Sequence, residues 1–260
     1  SGISGDMTIG ALIDLKEGID LDFLTKELKK LKLTGYKLSA ISSQKNGITG
    51  TKFDVDLEHE HEHTHEHEHT HEHEHTHEHG HESEHTHEHE HRSYKDIVKI
   101  IEDSELNENV KKISKDMFLY IGVAEAKVHN KNLDEIHFHE VGAIDSIVDI
   151  VGVAICIDFL KVDEIISSII PVGTGFVKSQ HGVIPVPAPA TLEILKNIPI
   201  YSTGIRSELV TPTGATIIKT LAKDFIPMPP MTVEKIGYGH GTKDLEITNS
   251  LRVILGKKKH

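Results

Sequence analysis

The chain holds a single cysteine, Cys156, in 260 residues. One thiol excludes an internal disulfide framework and fits a reducing compartment, so a cytoplasmic location is expected. No apolar run approaches the roughly 20 residues of a membrane helix. The best candidate, SIVDIVGVAICIDFL, is interrupted by Asp149 and Asp158. No signal peptide is visible. The chain opens on Ser1, within what reads as a strand-to-helix turn, so a preceding segment is expected. A basic stripe is also missing, which argues against a nucleic-acid partner. Lys257, Lys258 and Lys259 read as a solubilising tail. Neither a Walker A loop nor a G-x-G-x-x-G fingerprint is present.

The formal net charge is −13. Twelve Glu and no Asp, Lys or Arg lie between Glu58 and Glu90, leaving the rest of the chain at −1. The acidity thus belongs to one segment, expected over 58–91, in which imidazole alternates with carboxylate. Its histidines are His59, His61, His63, His65, His67, His69, His71, His73, His75, His77, His79, His81 and four more up to His91. EHEHTH repeats three times without a change between Glu60 and His77, as gene slippage would produce. Such a segment cannot bury a core, so it is expected to be disordered without metal. Its side chains hold divalent ions and protons well, and little else.

Around this tract the patterning is mixed. SGISGDM is a glycine-serine turn opening a helix through MTIGALIDLKE, and a second helix fits LDFLTKELKKL. YKLSAISSQKNGITGTKFDVDL alternates around Asn46-Gly47 and reads as a hairpin. YKDIVKIIEDS and NENVKKISKDMFLYIGVAEAKVHN return to helical spacing. AIDSIVDIVGVAICIDFLKV reads as a long apolar helix, central in the core. From Asp163 onward strands, glycines and prolines dominate, ending in two strands around a glycine-rich loop. The expected class is α+β, strands and helices around a central apolar helix. The expected divisions are 1–57 and 92–260 as parts of one body, with 58–91 as an inserted metal-binding tract.

Three motifs are candidates for chemistry. HFHEVGAIDSIVDIVG gathers His137, His139, Glu140, Asp145 and Asp149. The two histidines share a face of an extended segment, and the two aspartates share a face of a helix. Imidazole with carboxylate suits nickel, zinc, manganese or iron; helix capping and a polar rim explain the same residues. VGTGFVKSQHGVIPVPAPAT sets His181 among glycines as the only titratable ring. Pro185, Pro187 and Pro189 fix an extended run that leads into a helix near Ala188. ELVTPTGAT places Thr211, Thr213 and Gly214 at a helix start, which suits a phosphate or carboxylate. Ser1, Gly2, Ser4, Gly5 and Asp6 have the same character. Ordinary capping accounts for either turn as well.

SGISGDM, HFHEVGAIDSIVDIVG, GTGFVKSQHGVIPVPAPAT, ELVTPTGAT and SLRVILG together resemble, in order and over nearly the whole chain, the nickel-insertion family of nickel-pincer cofactor synthesis (the LarC family). The resemblance implies loading of Ni²⁺ into pyridinium-3,5-bisthiocarboxylic acid mononucleotide, completing the cofactor of lactate racemase and related enzymes. It implies CTP hydrolysis and Mn²⁺ as well. Family members continue into a domain that binds metal and CTP, and that domain is expected to be absent here or supplied by a separate chain. The histidine tract then becomes a store or delivery arm for Ni²⁺. The motif residues His137, His139, Glu140, Asp145 and His181, with the tract, are the metal candidates. A homo-oligomer is compatible with it. The other reading is a nickel or zinc storage or delivery chaperone without catalysis, in which the body is only scaffold. A His/Asp metallohydrolase is a third.

Overall fold

A computed structural model describes residues 2–58, 92–138 and 141–258. Helix α1 (Gly5–Asp14) follows an extended Ser4. Helix α2 (Leu21–Leu28) starts at Asp20, whose carboxylate accepts the Phe23 N–H at 2.8 Å. Strands β1 (Tyr36–Lys45) and β2 (Ile48–Leu57) form the expected hairpin. Asn46 and Gly47 take φ of +49° and +80° at its tip, as a two-residue turn matched to strand twist requires. The tract expected over 58–91 lies outside the described residues apart from Glu58.

Strand β3 (Arg92–Ser93) leads into α3 (Tyr94–Glu102), closed by a reciprocal Ser93/Asp96 capping box. Helix α4 (Glu108–His129) starts at Asn107, and β4 (His137–Phe138) pairs back with β3. Helix α5 (Ile144–Leu160) follows. Beyond it come short strands: β5 (Ile166–Ser167), β6 (Ile170–Val172), and the hairpin β7 (Phe176–Ser179) and β8 (Gly182–Pro185). Helix α6 (Pro189–Ile194), β9 (Ile200–Ser202), α7 (Pro212–Leu221) and β10 (Asp224–Phe225) precede the long closing strands β11 (Met231–His240) and β12 (Ser250–Lys258).

The fold is α+β. Strands β1-β2-β11-β12 make a four-stranded sheet, with β2 and β11 parallel and the two outer pairs antiparallel. Helix α1 lies on this sheet. Asp14 at its end fastens the two: one carboxylate oxygen accepts the Tyr238 N–H at 2.8 Å, the other the Thr51 hydroxyl at 3.3 Å. Helix α5 is the centre of the core. Ile147, Val148 and every residue from Ile150 to Cys156 are buried, packed among α1, α2, α4 and α7. Its two aspartate interruptions sort by position: Asp158 is held by Asn107 and Asn109 near the last turn, and Asp149 faces the head of α1. Burial of so many branched apolar side chains, at about 1.5–3 kcal/mol each, makes α5 the anchor on which the site is assembled. Among the described residues no helix is long and apolar enough to cross a membrane.

The first helix is shorter than its sequence pattern. It starts at Gly5 and stops at Asp14, because Lys16 turns left-handed at φ +57°.

Candidate functional site

The two glycine- and threonine-rich turns are bonded to each other. Ile3 and Val210 form a parallel bridge; the Ile3 N–H donates to Leu209 O at 2.9 Å, and the Thr211 N–H donates to Ile3 O at 3.2 Å. The Gly5 N–H donates to Thr213 Oγ1 at 3.3 Å. Thr211 Oγ1 accepts the Gly214 N–H at 3.1 Å, capping α7, and is hydrogen-bonded to Thr213 Oγ1 at 2.9 Å. Gly214 stands where the chains touch, since a Cβ there would lie 2.0 Å from Ile3 O. Gly5 does the same on the other side, where a Cβ would meet Asp149 at 2.6 Å.

This arrangement brings the starts of α1, α5 and α7 to one cavity of about 400 Å³. Ser4 and Asp6 come from α1; Val141, Asp145, Ser146 and Asp149 from α5 and its approach; Glu208, Thr211, Pro212 and Thr213 from α7 and its approach; Asp54 and Val55 from β2. The first turns of three helices border it, and a helix start carries partial positive charge. Five carboxylates answer that charge. Asp54 is ion-paired with Lys52, and Asp6 accepts a hydrogen bond from the Ser4 hydroxyl.

Asp149 is the deepest of the five. Its carboxylate accepts the Asp6 backbone N–H, yet its Oδ1 is shut off from solvent with no hydrogen-bond partner. Burial pushes its pKa well above the ordinary carboxylate range, and the charges of Asp6, Asp145 and Asp54 push the same way. A buried, unsatisfied carboxylate among like charges is a place where a cation or a proton is wanted. Still, among the described residues no three imidazole, thiol or carboxylate groups converge tightly enough to hold an ion by themselves.

The histidines named from the sequence lie elsewhere. His137 sits exposed on β4, paired through its backbone with Ser93, and does not line the cavity. It helps to lower the Asp96 pKa, after the two hydrogen bonds that Ser93 provides. His181 occupies the turn of the β7–β8 hairpin, exposed, with its ring against His129. Asp145 is at the cavity, so the structure does not gather His137, Asp145 and His181 into one set. His139, Glu140, Ser1 and the tract from His59 to His91 lie outside the described residues. Of the turn residues, Ser4, Asp6, Thr211 and Thr213 line the cavity, while Gly2, Gly5 and Gly214 are buried behind them where the chains touch. Sequence reasoning missed Asp54 and Glu208. Asp54 looks like any polar residue of an alternating strand, and Glu208 like any residue before a helix turn.

The sequence profile described as nickel insertion protein matches residues 1–260. The chain belongs to the nickel insertion protein family. A Clostridium kluyveri relative named pyridinium-3,5-bisthiocarboxylic acid mononucleotide nickel insertion protein is 53% identical over 263 residues, 99% of this chain and 60% of the relative. An Acetivibrio thermocellus protein of the same name is 49% identical over 261 residues, 100% of this chain and 59% of its own length. A putative nickel insertion protein of Dictyoglomus thermophilum is 46% identical over 257 residues, 99% of this chain and 59% of its own. The chain thus spans about 60% of the length of these family members. No solved structure matches it.

Proposed function

We propose that this chain positions Ni²⁺ and pyridinium-3,5-bisthiocarboxylic acid mononucleotide for nickel insertion, in the cavity at the heads of α1, α5 and α7. The observation that carries the reading is the meeting of three helix N-termini with five carboxylates around one space. The substrate is an anion with a phosphate and two sulfur-bearing acid groups; the cargo is a divalent cation. A cavity for both needs donors for the first and carboxylates for the second. Helix starts at Ser4, Ser146 and Thr213 serve the anion. Asp6, Asp145 and Asp149 serve the cation.

Charge sets an order. With its carboxylates ionised the cavity repels the mononucleotide, so the cation enters first or together with it. The ligand sets then give a direction. Protein oxygens hold Ni²⁺ without a tight cage, and the substrate offers softer sulfur donors, which first-row ions late in the series prefer. An ion held loosely by the protein passes to the substrate; one held in a complete cage would stay.

The family resemblance implies Mn²⁺ and CTP. The described residues offer no converged ion site and the sequence no phosphate-cradling loop of known type. The open carboxylate set is assigned here to the Ni²⁺ cargo, which leaves no second group of ligands for Mn²⁺ and no cradle for CTP among the described residues, so no step is routed through either. In this reading they belong to the part of the relatives' length that this chain does not span, so the whole insertion cycle needs that part too. A storage role, the other reading of the sequence, has no use for a built cavity.

The test is a reconstitution. The chain is mixed with Ni²⁺ and the mononucleotide, with and without the remaining segment of a relative plus Mn²⁺ and CTP, and nickel in the mononucleotide is read by mass spectrometry. Product is expected with the added segment, and it should fall at least tenfold in Asp145→Asn and Asp149→Asn. Normal product from both variants would remove the cavity from the reaction.

A further inference from the structure

Five carboxylates line the cavity, and none of the lining residues is cationic. Lys52 has its ammonium paired to Asp54. The substrate's phosphate therefore finds no side-chain cation in the lining. On the segment that leads into the wall, two residues before Glu208, stands Arg206. It is exposed, and among the described residues its guanidinium has neither an ion pair nor a hydrogen bond.

We propose that Arg206 anchors the phosphate of the mononucleotide at the rim of the cavity, so that the two acid groups extend inward to the helix starts and the carboxylate-held ion. The proposal deepens the reading of the cavity as the place of insertion and rests on it. Three observations carry it. The first is rigidity. The segment 204–207 is bonded to the glycine-rich segment that precedes β7. The Thr174 N–H donates to Ile205 O at 2.8 Å, and the Thr174 hydroxyl donates to the same oxygen at 3.2 Å. Gly173 packs so closely that a Cβ on it would lie 1.7 Å from Ser207 O. The Arg206 side chain runs beside Gly175, where a Cβ would lie 3.7 Å from Arg206 Cβ and 3.8 Å from its Nε. A guanidinium carried on a segment held this way needs little ordering before it binds.

The second is place. Two peptide steps span at most about 7 Å, so the backbone of Arg206 lies close to that of Glu208, a residue of the wall. The Ser207 N–H donates to Ile205 O at 3.0 Å, which turns the chain tightly at Arg206. The third is chemistry. A guanidinium is charged at every working pH and offers parallel N–H groups to two phosphate oxygens. Arg206 is not spent on Glu208 or on any other described carboxylate. A phosphate held at the rim is also kept apart from Asp145 and Asp149, whose repulsion falls with distance.

Equilibrium dialysis tests the anchor, with the full chain loaded with Ni²⁺ and freed of excess. Two ligands are compared, the mononucleotide and the same nucleoside without its phosphate. The parent should bind the mononucleotide more tightly. Arg206→Leu should weaken the mononucleotide about ten- to a hundredfold, the weight of a charge-assisted contact, and leave the nucleoside unchanged. Arg206→Lys keeps the charge without the fork and should recover part of the loss. Thermal unfolding of Arg206→Leu should match the parent, because the side chain is exposed and without a specific partner. Equal weakening of both ligands, or of neither, overturns the anchor. Either result leaves the cavity reading standing, because that reading is judged on product from Asp145→Asn and Asp149→Asn. A parent that binds neither ligand overturns the cavity reading and the anchor together.

Discussion

The cavity at the heads of α1, α5 and α7 and the hairpin side of the molecule hold their polar groups in opposite ways. At the cavity, carboxylates are fixed by the most buried helix of the core and by two turns bonded back to back. Asp149 stays there with one oxygen unpartnered, a cost the fold carries because α5 leaves it nowhere else to go. By contrast, His137 on the two-residue strand β4 and His181 in the turn of the β7–β8 hairpin are exposed. The comparison teaches that the polar groups this fold buries together are carboxylates, while the histidines read from the sequence stand apart from them.

The sharpest way to break the contrast is Gly214→Val. A Cβ at Gly214 would lie 2.0 Å from Ile3 O and 2.5 Å from the Ile3 carbonyl carbon, both backbone atoms that cannot swing aside. The two turns must part. The expected cost is about 3 kcal/mol, the upper end of overpacking in a tight interior. Urea unfolding measures it. A near-parental midpoint would show that the turns are not locked together. From the sequence alone, this glycine reads as room for a phosphate. The structure fills that room with chain, so the substitution tests packing and not substrate approach.

Next comes Asp149→Asn, which should raise stability and lower function. Burial first, then the charges of Asp6 and Asp145, hold the Asp149 pKa above its value in the unfolded chain. The folded state therefore keeps this proton to a higher pH than the unfolded state. Its contribution is fully present below the unfolded pKa of ~3.9 and is lost as pH rises through the folded value. Asparagine carries no charge and can donate to a neighbouring carboxylate. The variant should match the parent near pH ~3 and exceed it near neutrality, by an amount of the order of the 1–3 kcal/mol that an unpaired buried polar atom costs. Chemical denaturation across pH checks it. A variant less stable at every pH would mean that Asp149 is satisfied in the fold. Gained stability with lost insertion would be the signature of a group kept for function.

Much of the fold was legible because local signals agreed with tertiary demand. The alternation around Asn46-Gly47 gave the hairpin, and the apolar density of 144–160 gave the central helix. The lining of the candidate cavity was legible in part. Spacing of four put Asp145 and Asp149 on one face, and capping chemistry marked Ser4, Asp6, Thr211 and Thr213. What brings them together is a bridge between Ile3 and Val210, 207 positions apart, and no local pattern encodes such a contact. The same reason hid Asp54 and Glu208. The partnership of His181 with His129 was invisible for a different cause. A histidine in the last turn of a helix looks like a favourable charge at the dipole's negative end, and nothing in its own neighbourhood points to a hairpin 52 residues away.

A smaller effect is expected from Thr211→Ala. The hydroxyl caps α7 through the Gly214 N–H and holds Thr213 Oγ1, which in turn receives the Gly5 N–H. Losing a threonine cap costs about 1 kcal/mol. The loss should appear in thermal unfolding, with a parallel weakening of mononucleotide binding because Thr213 loses its fixed orientation. If stability falls while binding of the mononucleotide is untouched, the head of α7 serves the fold and the anion sits elsewhere in the cavity.

The least effect on the fold should come from His137→Ala, and that makes it informative. The residue joins β4 to β3 through backbone bonds that alanine keeps, and its side chain is exposed. Stability should change by no more than ~0.5 kcal/mol, as for surface positions without a specific partner. Among the described residues its side chain acts on Asp96, whose pKa is held down mainly by Ser93 and would rise only slightly. Function separates two roles. If His137 hands ions on to the cavity, insertion should slow when Ni²⁺ is scarce and recover fully when it is abundant. If His137 holds the ion during transfer, no excess will restore the rate. Placement outside the cavity lining favours recovery. A rate that stays low at saturating Ni²⁺ would instead require β4 to move towards α5 in the working complex, and would overturn the proposed assignment of insertion to the cavity carboxylates.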